Sequence, residues 1–593
     1  MIKIRLLLEL LRRSWVVAPL SSAVITVVII AQSASAALTA AIQRHLVDQV
    51  GRPAMLTAVV AVGVGLAVAF AAGAAGNRIQ GNLRGVIAEK LDIDLSGNVL
   101  RWATQTPRID QYDRPDFLDR LHLVRTSTSK LAGISWNLVN TVCVVLGLAA
   151  SLVLLARINP WLMIMAVLAV PPFLLNGRSG RYLRQARDRT AAWERQEATL
   201  HGYASQPEQA KEVRVNRSQP IIDDHCATLW DRTRRTIRAA HLKSALHGYA
   251  GWLIFAVGYL GAVALTILLV TQRQASLGDL VLVISLGQQL RWQVISVVYG
   301  ISEVADGGHA AGHYDWLRRQ YRQARRADEE PVPPPPRLDR GISVDGLSFR
   351  YPGQDHPAVD GVSVELEAGQ VVALLGENGA GKTTLAKLLL GQYAPDAGGI
   401  RLDGVDLARV DPAVWARRCS GLLQDFGKLQ GPVREAVGAG ALRPLSRADL
   451  DRAVDEAHAR SIVDGLPRGL DTSLGLAFGT RDLSHGQWQR LALARGLTRP
   501  EPLLLILDEP TSALDPEVEH RLFDAFFSSA RRAAAEHGSI ALIISHRLST
   551  TQDADLILVM DRGRIVESGD HATLIDQGGR YSELYRLQTR AYR

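Results

Sequence analysis

The first half of this 593-residue chain alternates long apolar runs with long charged segments. The apolar runs are rich in Ala, Val, Leu and Ile, and most approach the roughly 20 residues that a helix needs to cross a bilayer core. Six runs are predicted to span a membrane: 16–41, 54–76, 134–156, 160–175, 252–271 and 277–298. A secretory signal peptide is the competing interpretation of the first run, but that run is too long for one and similar runs follow it.

Basic residues are concentrated in two of the segments between the runs. Residues 77–130 contain nine Lys and Arg residues and residues 178–243 contain fourteen, whereas 42–53, 157–159 and 272–276 contain two, one and one. Because basic loops stay in the cytoplasm, this asymmetry places both termini and both long segments there. The net charge of +8 therefore fits cytoplasmic loops beside a lipid bilayer, and we predict no nucleic-acid partner.

The two basic segments are predicted to be largely helical and to extend beyond the bilayer. Each is interrupted by a stretch with Pro and mixed charge, Arg108–Val124 and Gln206–Gln219. These stretches are either short transverse helices that touch another domain or simply solvated turns.

The second half of the chain has the pattern of a soluble α/β domain. We assign residues 1–306 to a six-helix membrane domain with two long cytoplasmic loops, 307–340 to a Pro-rich linker and 341–593 to this soluble domain. The three cysteines are widely spaced and indicate neither a disulfide framework nor a Cys-based zinc site.

A phosphate-binding loop opens this second domain. The stretch reads GENGAGKT, follows an apolar strand (Val371–Leu375) and precedes a helical segment, which is the context that the G-x-x-x-x-G-K-[ST] motif requires. Lys382 is predicted to reach the β- and γ-phosphates, and the Thr383 hydroxyl to ligate Mg²⁺. The predicted nucleotide-binding residues of this stretch are Gly376, Glu377, Asn378, Gly379, Ala380, Gly381, Lys382, Thr383 and Thr384.

Further candidate residues follow other apolar strands. Asp508, at the end of a strand, is predicted to hold Mg²⁺, and Glu509 to act as the general base toward water. His546 follows a third strand of the same predicted sheet, where it can contact a γ-phosphate. Gln424 is a candidate for contact with the metal or with water, although a surface glutamine is the default interpretation of that pattern.

Together these motifs resemble the ATP-binding cassette family over essentially the whole chain. Leu483-Ser-His-Gly-Gln487 is similar to the LSGGQ signature, and Glu509-Pro-Thr-Ser-Ala-Leu-Asp515 is similar to the stretch from the catalytic glutamate through the D-loop. By this resemblance Tyr351 stacks on adenine, Gln424 is the Q-loop glutamine and His546 the switch histidine. The signature residues Ser484, Gly486 and Gln487 are then nucleotide-binding, toward a second chain.

The six spans ahead of one cassette resemble an exporter half-transporter of the type IV arrangement. The resemblance implies a multidomain membrane protein, a helical membrane domain followed by an α/β cassette, in a bacterial cell membrane with the cassette cytoplasmic. It also implies that two chains sandwich ATP and Mg²⁺ and that hydrolysis drives alternating access. A homodimer is favoured over a heterodimer. The alternatives are an importer of the same fold and an ATP-gated channel or regulatory subunit.

The sequence departs from the family pattern at two places, and each departure leads to a structural expectation. His485 stands where the signature has glycine, so the backbone is strained there if φ is positive and tolerant if φ is helical. By the resemblance, the two Pro-containing stretches are coupling helices of the cytoplasmic coupling loops. The segment Phe478–Asp482 lacks a glutamate that exporters commonly carry, which puts its contact with a coupling helix in doubt.

The transported cargo is not identified by the sequence. Polar residues in or near the predicted spans are candidates to line a cavity: Gln32, Asn137, Asn140, Gln288, Gln289 and Arg291. Arg291 favours an anionic cargo if it lines the cavity, and has a structural role if it snorkels or pairs.

Overall fold

The computed structural model describes residues 2–48, 55–105, 108–326, 332–475, 478–479, 482–499, 501–509, 516–545 and 552–591. The chain divides into two compact units. The helical unit comprises residues 1–100 and 121–317, and the cassette unit comprises residues 101–120 and 318–593.

Long helices carry the apolar runs. In chain order they and the shorter helices between them are α1 Ile2–Val17, α2 Pro19–Asp48, α3 Met55–Thr104, α4 Pro115–Ile158, α5 Ile164–Leu168, α6 Val170–Ser205, α7 Pro207–Val215, α8 Gln219–Thr271 and α9 Leu277–Arg326. Two 3-10 turns interrupt the series, at Asp110–Asp113 and Pro160–Met163. The short elements at Asp110–Asp113 and Pro207–Val215 fall inside the two Pro-containing stretches of the basic segments.

Five stretches of the described helices are long and apolar enough to span a membrane. They are Pro19–Asp48, Asp116–Ile158, Pro160–Ser205, Gln219–Thr271 and Leu277–Val304. Four of the six predicted spans lie within them, and the first predicted span, 16–41, overlaps Pro19–Asp48 from residue 19 onward. The remaining span, 54–76, falls on α3 apart from residue 54, which lies outside the described residues. That α3 crosses a membrane stays a prediction.

Helix α9 continues through residues 307–326, which lie within the range predicted as linker. The Pro-rich stretch begins only at Pro331. A proline removes a backbone donor and fixes φ, so a helix can continue up to such a stretch but not through it.

Within the helical unit, small residues allow helices to approach closely. An added Cβ at Gly287 of α9 would overlap the ring of Tyr259 in α8, and one at Gly300 would overlap Thr141 of α4. Helices in lipid pack through such small residues because lipid tails are as apolar as the side chains they surround.

The cassette unit is built on two main sheets and one short two-stranded antiparallel sheet. Its strands are β1 Gly341–Phe349, β2 Val359–Glu367, β3 Val371–Gly376, β4 Ala397–Leu402, β5 Val405–Asp406, β6 Cys419–Leu422, β7 Gly431–Pro432, β8 Ser473–Leu474, β9 Leu504–Asp508, β10 Ile540–Ile544, β11 Leu556–Asp561 and β12 Arg564–Gly569. The six-stranded sheet has the order β12-β11-β3-β10-β9-β6, and the four-stranded sheet has the order β2-β1-β4-β5.

Helices cover the larger sheet. They are α10 Lys382–Leu389, α11 Pro412–Arg418, α12 Val433–Gly438, α13 Arg447–Glu456, α14 Arg460–Asp464, α15 His485–Leu497, α16 Pro516–His537, α17 His571–Gln577 and α18 Arg580–Ala591. Strands β3, β6, β9, β10 and β11 run parallel and are covered on both faces, so they read as nearly continuous apolar runs. Side chains of β3 alternate between cores: Val372 and Leu374 pack on one face, Ala373 and Leu375 on the other.

Residues 101–120 belong to the cassette unit through several contacts. The Ile109 amide donates to the Gln392 carbonyl at 3.0 Å, and the Ile109 side chain packs against the cassette core. The buried Tyr393 hydroxyl donates to Asp113 Oδ2 at 2.6 Å. The first of the two Pro-containing stretches therefore lies directly on the cassette.

Candidate functional site

The phosphate loop connects the end of β3 to the start of α10. Gly376 has φ of 147° and Gly381, the N-cap of α10, has φ of 101°, both in the region that favours glycine. An added Cβ at either position would collide with a carbonyl oxygen, that of Met560 or that of Ala358. The glycines at these two positions are therefore required for the loop to curl against its neighbours.

Lys382 lies across this loop. Its Nζ donates to the carbonyl oxygens of Gly376, at 2.7 Å, and Glu377, at 2.9 Å. Burial lowers the pKa of Lys382, and the nearby carboxylates of Glu509 and Asp508 oppose that shift. The ammonium group is thus held over the loop in a partly desolvated position, where its attraction for an anion is strengthened.

The strand order brings the acid pair to the same edge as the loop. Strand β10 lies between β3 and β9, and Asp508 at the end of β9 is paired in register with Ile544 at the end of β10. Because these strands are parallel, their carboxyl ends meet at one edge, where open α/β sheets bind ligands.

Asp508 fits a magnesium ligand. It is 1% exposed, and its carboxylate interacts through a side-chain hydrogen bond with Thr383, another predicted magnesium ligand. Burial raises the pKa of Asp508 above its ordinary value of 3.8, and the Glu509 charge adds to that shift. A buried carboxylate beside a threonine hydroxyl suits Mg²⁺, which prefers oxygen ligands.

The rest of such an ion's coordination would have to come from outside the acidic side chains. The described residues contain no cluster of three or more His, Cys, Asp or Glu side chains that could hold a metal. Magnesium is commonly held by one or two carboxylates together with phosphate oxygens and water, so this sparse donor set fits a metal that binds with a nucleotide.

Glu509 is fixed in position by two glutamines. Gln424 Nε2 donates to Glu509 Oε2 at 3.1 Å, and Gln489 Nε2 donates to the Glu509 carbonyl at 3.0 Å. Glu509 has φ of 48°, an uncommon left-handed conformation for a residue other than glycine, and such strain is frequent at functional sites. The structure thus brings Gln424 to the acid pair, although 85 residues separate Gln424 from Glu509.

Tyr351 lies next to the end of the phosphate loop. Its hydroxyl is 3.2 Å from the Thr384 hydroxyl, and its ring contacts the rings of Phe349 and Tyr393. The same Tyr393 bonds Asp113, so one aromatic cluster touches both the nucleotide-binding edge and residues 101–120.

The signature residues form the start of α15. Ser484 is the N-cap, its Oγ accepts from the Gln487 amide at 3.3 Å, and Gln487 Oε1 accepts from the Ser484 amide at 2.9 Å. Ser484 and Gln487 thus satisfy each other in a capping box. Gly486 lies in the first turn of this helix.

His485 is the first residue of α15 and its φ is not positive. The strained alternative for this departure from the family pattern is therefore excluded, and a side chain is tolerated there. The His485 ring lies 5.2 Å from the ring of Phe426, two residues after Gln424.

Some predicted residues lie outside the described part of the chain. His546, Thr480, Arg481 and the D-loop residues 512–515 are among them. Sequence reasoning in turn missed Gln489, Phe426 and the Tyr393–Asp113 pair, because each acts through a contact between distant parts of the chain.

The polar candidates of the helical unit have different surroundings. Gln32 Nε2 donates to Asn77 Oδ1 at 2.9 Å, and Asn140 Oδ1 accepts from Gln80 at 3.0 Å. Gln288 and Arg291 are exposed and Gln289 is half-buried. The Arg291 guanidinium lies 5.2 Å from the centre of the Trp292 ring.

Comparison with known proteins agrees with this geometry. Residues 359–512 match the ABC transporter family. The solved structure of a bacterial Atm1-family ABC exporter with ATP bound superposes with a TM-score of 0.78, covers 98% of each chain and is 23% identical in sequence. Residues 359–512 therefore match an ABC transporter domain, and the chain as a whole has the fold of that exporter.

Among curated proteins, the chain is similar to ATP-dependent lipid A-core flippases. The relative from Aromatoleum aromaticum is 37% identical over 334 residues, which are 56% of this chain and 53% of the relative. The relative from Pseudomonas aeruginosa is 37% identical over 326 residues, 55% of this chain and 52% of the relative. The matched region thus spans about half the length of these relatives.

Proposed function

We propose that the chain is an ATP-driven exporter of a cargo yet to be identified and that it works as a dimer in a bacterial cell membrane. The observation that carries the proposal is the grouping of Lys382, Asp508 and the Gln424–Glu509 pair at one sheet edge. This edge belongs to a chain with at least five helices apolar enough to span a membrane. The exporter fold favours export over import, and the intact acid pair argues against a channel or regulatory subunit with little hydrolysis.

The phosphate loop and Lys382 would bind the phosphates of ATP. Backbone amides at the start of α10 and the Lys382 ammonium present positive charge to phosphate oxygens. The nucleotide would compete with the carbonyl oxygens of Gly376 and Glu377 for the lysine. Tyr351, partly buried beside Thr384, would stack on the adenine.

Thr383, Asp508 and Gln424 would hold Mg²⁺. The ion would neutralise charge that develops on the phosphate oxygens during transfer. The chain's own contribution is to present a buried carboxylate at the strand end, beside the Thr383 hydroxyl.

Glu509 would act as the general base. Its carboxylate is oriented by Gln424, and its backbone is anchored by Gln489 and by the Glu509 amide, which donates to the Ile544 carbonyl at 2.9 Å. A base positioned in this way would take a proton from water that attacks the γ-phosphate, and His546 would contact the same phosphate.

A second chain would complete each site. Ser484 and Gln487 form their capping box with each other rather than with the phosphate loop of the same chain. The start of α15 would instead face the ATP of a partner, a second copy of this chain or a related half-transporter. Closure around ATP would then drive the helical units between inward- and outward-facing states, because ATP binds the closed state more tightly.

The test is ATPase activity of the purified chain in lipid vesicles, with and without the Glu509→Gln substitution. We expect the substitution to lower kcat by a factor of about 10² to 10⁴ while ATP binding is retained. Glu501→Gln is the matched control, because Glu501 is exposed and pairs only peripherally with Arg418 at 3.4 Å.

The control variant should hydrolyse ATP at the wild-type rate. If the wild-type chain binds ATP without turnover, self-sufficient hydrolysis is rejected, and a partner half-transporter or a regulatory role takes its place. Equal rates for wild type and Glu509→Gln would remove Glu509 from the proposed role.

A further inference from the structure

A polar cluster joins three helices of the helical unit. Its members are Gln80 and Arg84 on α3, Asn137 and Asn140 on α4, and Glu303 on α9. All five lie near the same ends of their predicted spans, which the charge distribution places on the cytoplasmic side. Asn137 and Asn140 lie inside a predicted span, where polar groups are costly and tend to mark functional sites, and Gln80, Arg84 and Glu303 lie just beyond the ends of theirs.

The cluster is a ladder of hydrogen bonds, in which two side-chain pairs one helical turn apart connect α3 to α4. Arg84 Nη1 donates to Asn137 Oδ1 at 2.9 Å, and one turn away Gln80 Nε2 donates to Asn140 Oδ1 at 3.0 Å. Asn137 Nδ2 in turn donates to Glu303 Oε2. Asn137 is therefore held at both ends of its amide, and it fixes the orientation of the arginine.

The other two guanidinium nitrogens of Arg84 are left without partners. Nε and Nη2 are buried and form no hydrogen bond with the described residues. An unsatisfied buried donor is destabilising, more so when it is charged, so the fold carries a penalty that a bound acceptor would remove.

The chemistry of the two free donors specifies that acceptor. Nε and Nη2 lie on one edge of the planar guanidinium and form the fork that accepts two oxygens of a carboxylate or phosphate at once. Nη1, at the other edge, is occupied by Asn137. Among the described residues nothing pairs with the fork, and Asn137 fixes its orientation.

A purely structural ion pair with Glu303 does not account for this arrangement. Asn137 stands between the two charges, and Glu303 is engaged by Asn137 and by the Tyr299 hydroxyl. Close packing holds these partners in place, because an added Cβ at Gly300 or Gly307 of α9 would overlap Thr141 or Ile134 of α4. Glu303 balances the charge of Arg84 without filling its fork.

We propose that the free edge of Arg84 binds the anionic group, carboxylate or phosphate, of the transported cargo at the cytoplasmic end of the helical unit. This inference rests on the proposed export function and names the chemical class of its substrate. The anion has two possible sources, the headgroup of a membrane lipid or a soluble cytoplasmic molecule.

The test measures binding to the full chain without ATP. The chain is placed in phosphatidylcholine nanodiscs, and its thermal midpoint is followed as phosphatidylglycerol replaces part of the lipid or as inorganic phosphate is added to the buffer. A ligand that binds only the folded state raises the midpoint. We expect one of the two probes to do so, and the probe that succeeds identifies the source.

Three variants make the test specific. Arg84→Gln should weaken binding by a factor of about 10 to 100, the loss expected for a charge-assisted pair of hydrogen bonds. Arg84→Lys keeps the charge but loses the fork, so its affinity for the probe should lie between those of the wild type and Arg84→Gln. Arg78→Gln removes the same charge from an exposed position on the same helix and should bind as the wild type does.

The inference is overturned if neither probe raises the midpoint, or if Arg84→Gln and Arg78→Gln respond alike. The midpoint of each variant without a probe shows whether it has folded, and Arg84→Lys keeps the test decisive if Arg84→Gln has not. Because ATP is absent, a chain that binds the anion but does not hydrolyse ATP contradicts only the proposed function. A chain that hydrolyses ATP but is insensitive at Arg84 contradicts only this inference.

Discussion

The two units of the molecule treat apolar side chains in opposite ways. Strand β9 of the cassette unit is buried at all five positions. In the last apolar run of α8, Leu253, Val257 and Leu260 are each at least 65% exposed. A surface of this kind is stable only where the surroundings are also apolar, so the cassette excludes water from its core while the helical unit requires lipid.

The units also differ in how they use polar groups. In the cassette, strand ends bring Lys382, Asp508 and Glu509 to a sheet edge, and short sequence motifs identify them. In the helical unit, polar side chains pair across helices, as Arg84 does with Asn137 and Gln80 with Asn140. The functional residues of the cassette can therefore be predicted from local sequence. The polar contacts of the helical unit depend instead on which helices pack together.

The largest contrast between the units is expected for loss of a leucine side chain. Leu542 on β10 is 1% exposed, and Leu542→Ala should destabilise the cassette by about 3 kcal/mol through lost burial and a residual cavity. Leu253→Ala, at a side chain 67% exposed, should cost less than about 0.5 kcal/mol. Unfolding in nanodiscs, followed by tryptophan fluorescence, measures the loss of stability in both variants. Equal losses would contradict the contrast between the two units.

A smaller effect is expected from pH at Asp508, the proposed magnesium ligand. Protons and Mg²⁺ compete for the Asp508 carboxylate, and burial raises its pKa, so Mg²⁺ affinity should fall on acidification sooner than at an exposed aspartate. Below the raised pKa the loss approaches about tenfold per pH unit. The loss of Mg²⁺ affinity is measured by following Mg²⁺-dependent ATP binding from neutral to mildly acidic pH. Asp508→Asn should bind weakly with a flat profile, and a flat wild-type profile would exclude Asp508 as the ligand.

Tyr393→Phe tests the contact between residues 101–120 and the cassette core. Burial and the neighbouring Asp113 carboxylate raise the pKa of Tyr393, so its hydroxyl remains a donor at physiological pH. Loss of this bond to an exposed carboxylate should cost about 1 kcal/mol and speed amide exchange in residues 108–120 by about fivefold. Tyr581→Phe, which removes a hydroxyl bonded to His571 at 2.6 Å, should leave that exchange unchanged.

The smallest effect is expected at the signature. His485→Gly restores the family's residue, but His485 already has a helical backbone, so no strain is relieved. Loss of the Phe426 contact and the added freedom of glycine should cost about 0.5–1 kcal/mol, with ATPase rates within about threefold of wild type. A large gain in kcat, measured in the same vesicles, would show that the histidine obstructs the site.

Sequence reasoning predicted most of the candidate site because its residues lie in local motifs. A glycine-rich turn between an apolar strand and a helix restricts the backbone to one conformation, so GENGAGKT alone predicted a phosphate-binding loop. The sequence pattern that pointed to Gln424 was weaker, since a single glutamine after a short apolar stretch is ordinary. Its assignment depended on family resemblance, and only the 3.1 Å contact with Glu509 placed it in the site.

The sequence by itself determined the apolar runs, the charge of the segments between them and the phosphate loop, because these depend on residues close together in the chain. The tertiary structure decided the helical backbone of His485, the contact of Asp113 with Tyr393 across 280 residues, and the ladder from Arg84 through Asn137 to Glu303. The physical reason is that local sequence restricts backbone torsions and burial. Which distant polar groups become partners depends instead on how helices and strands pack.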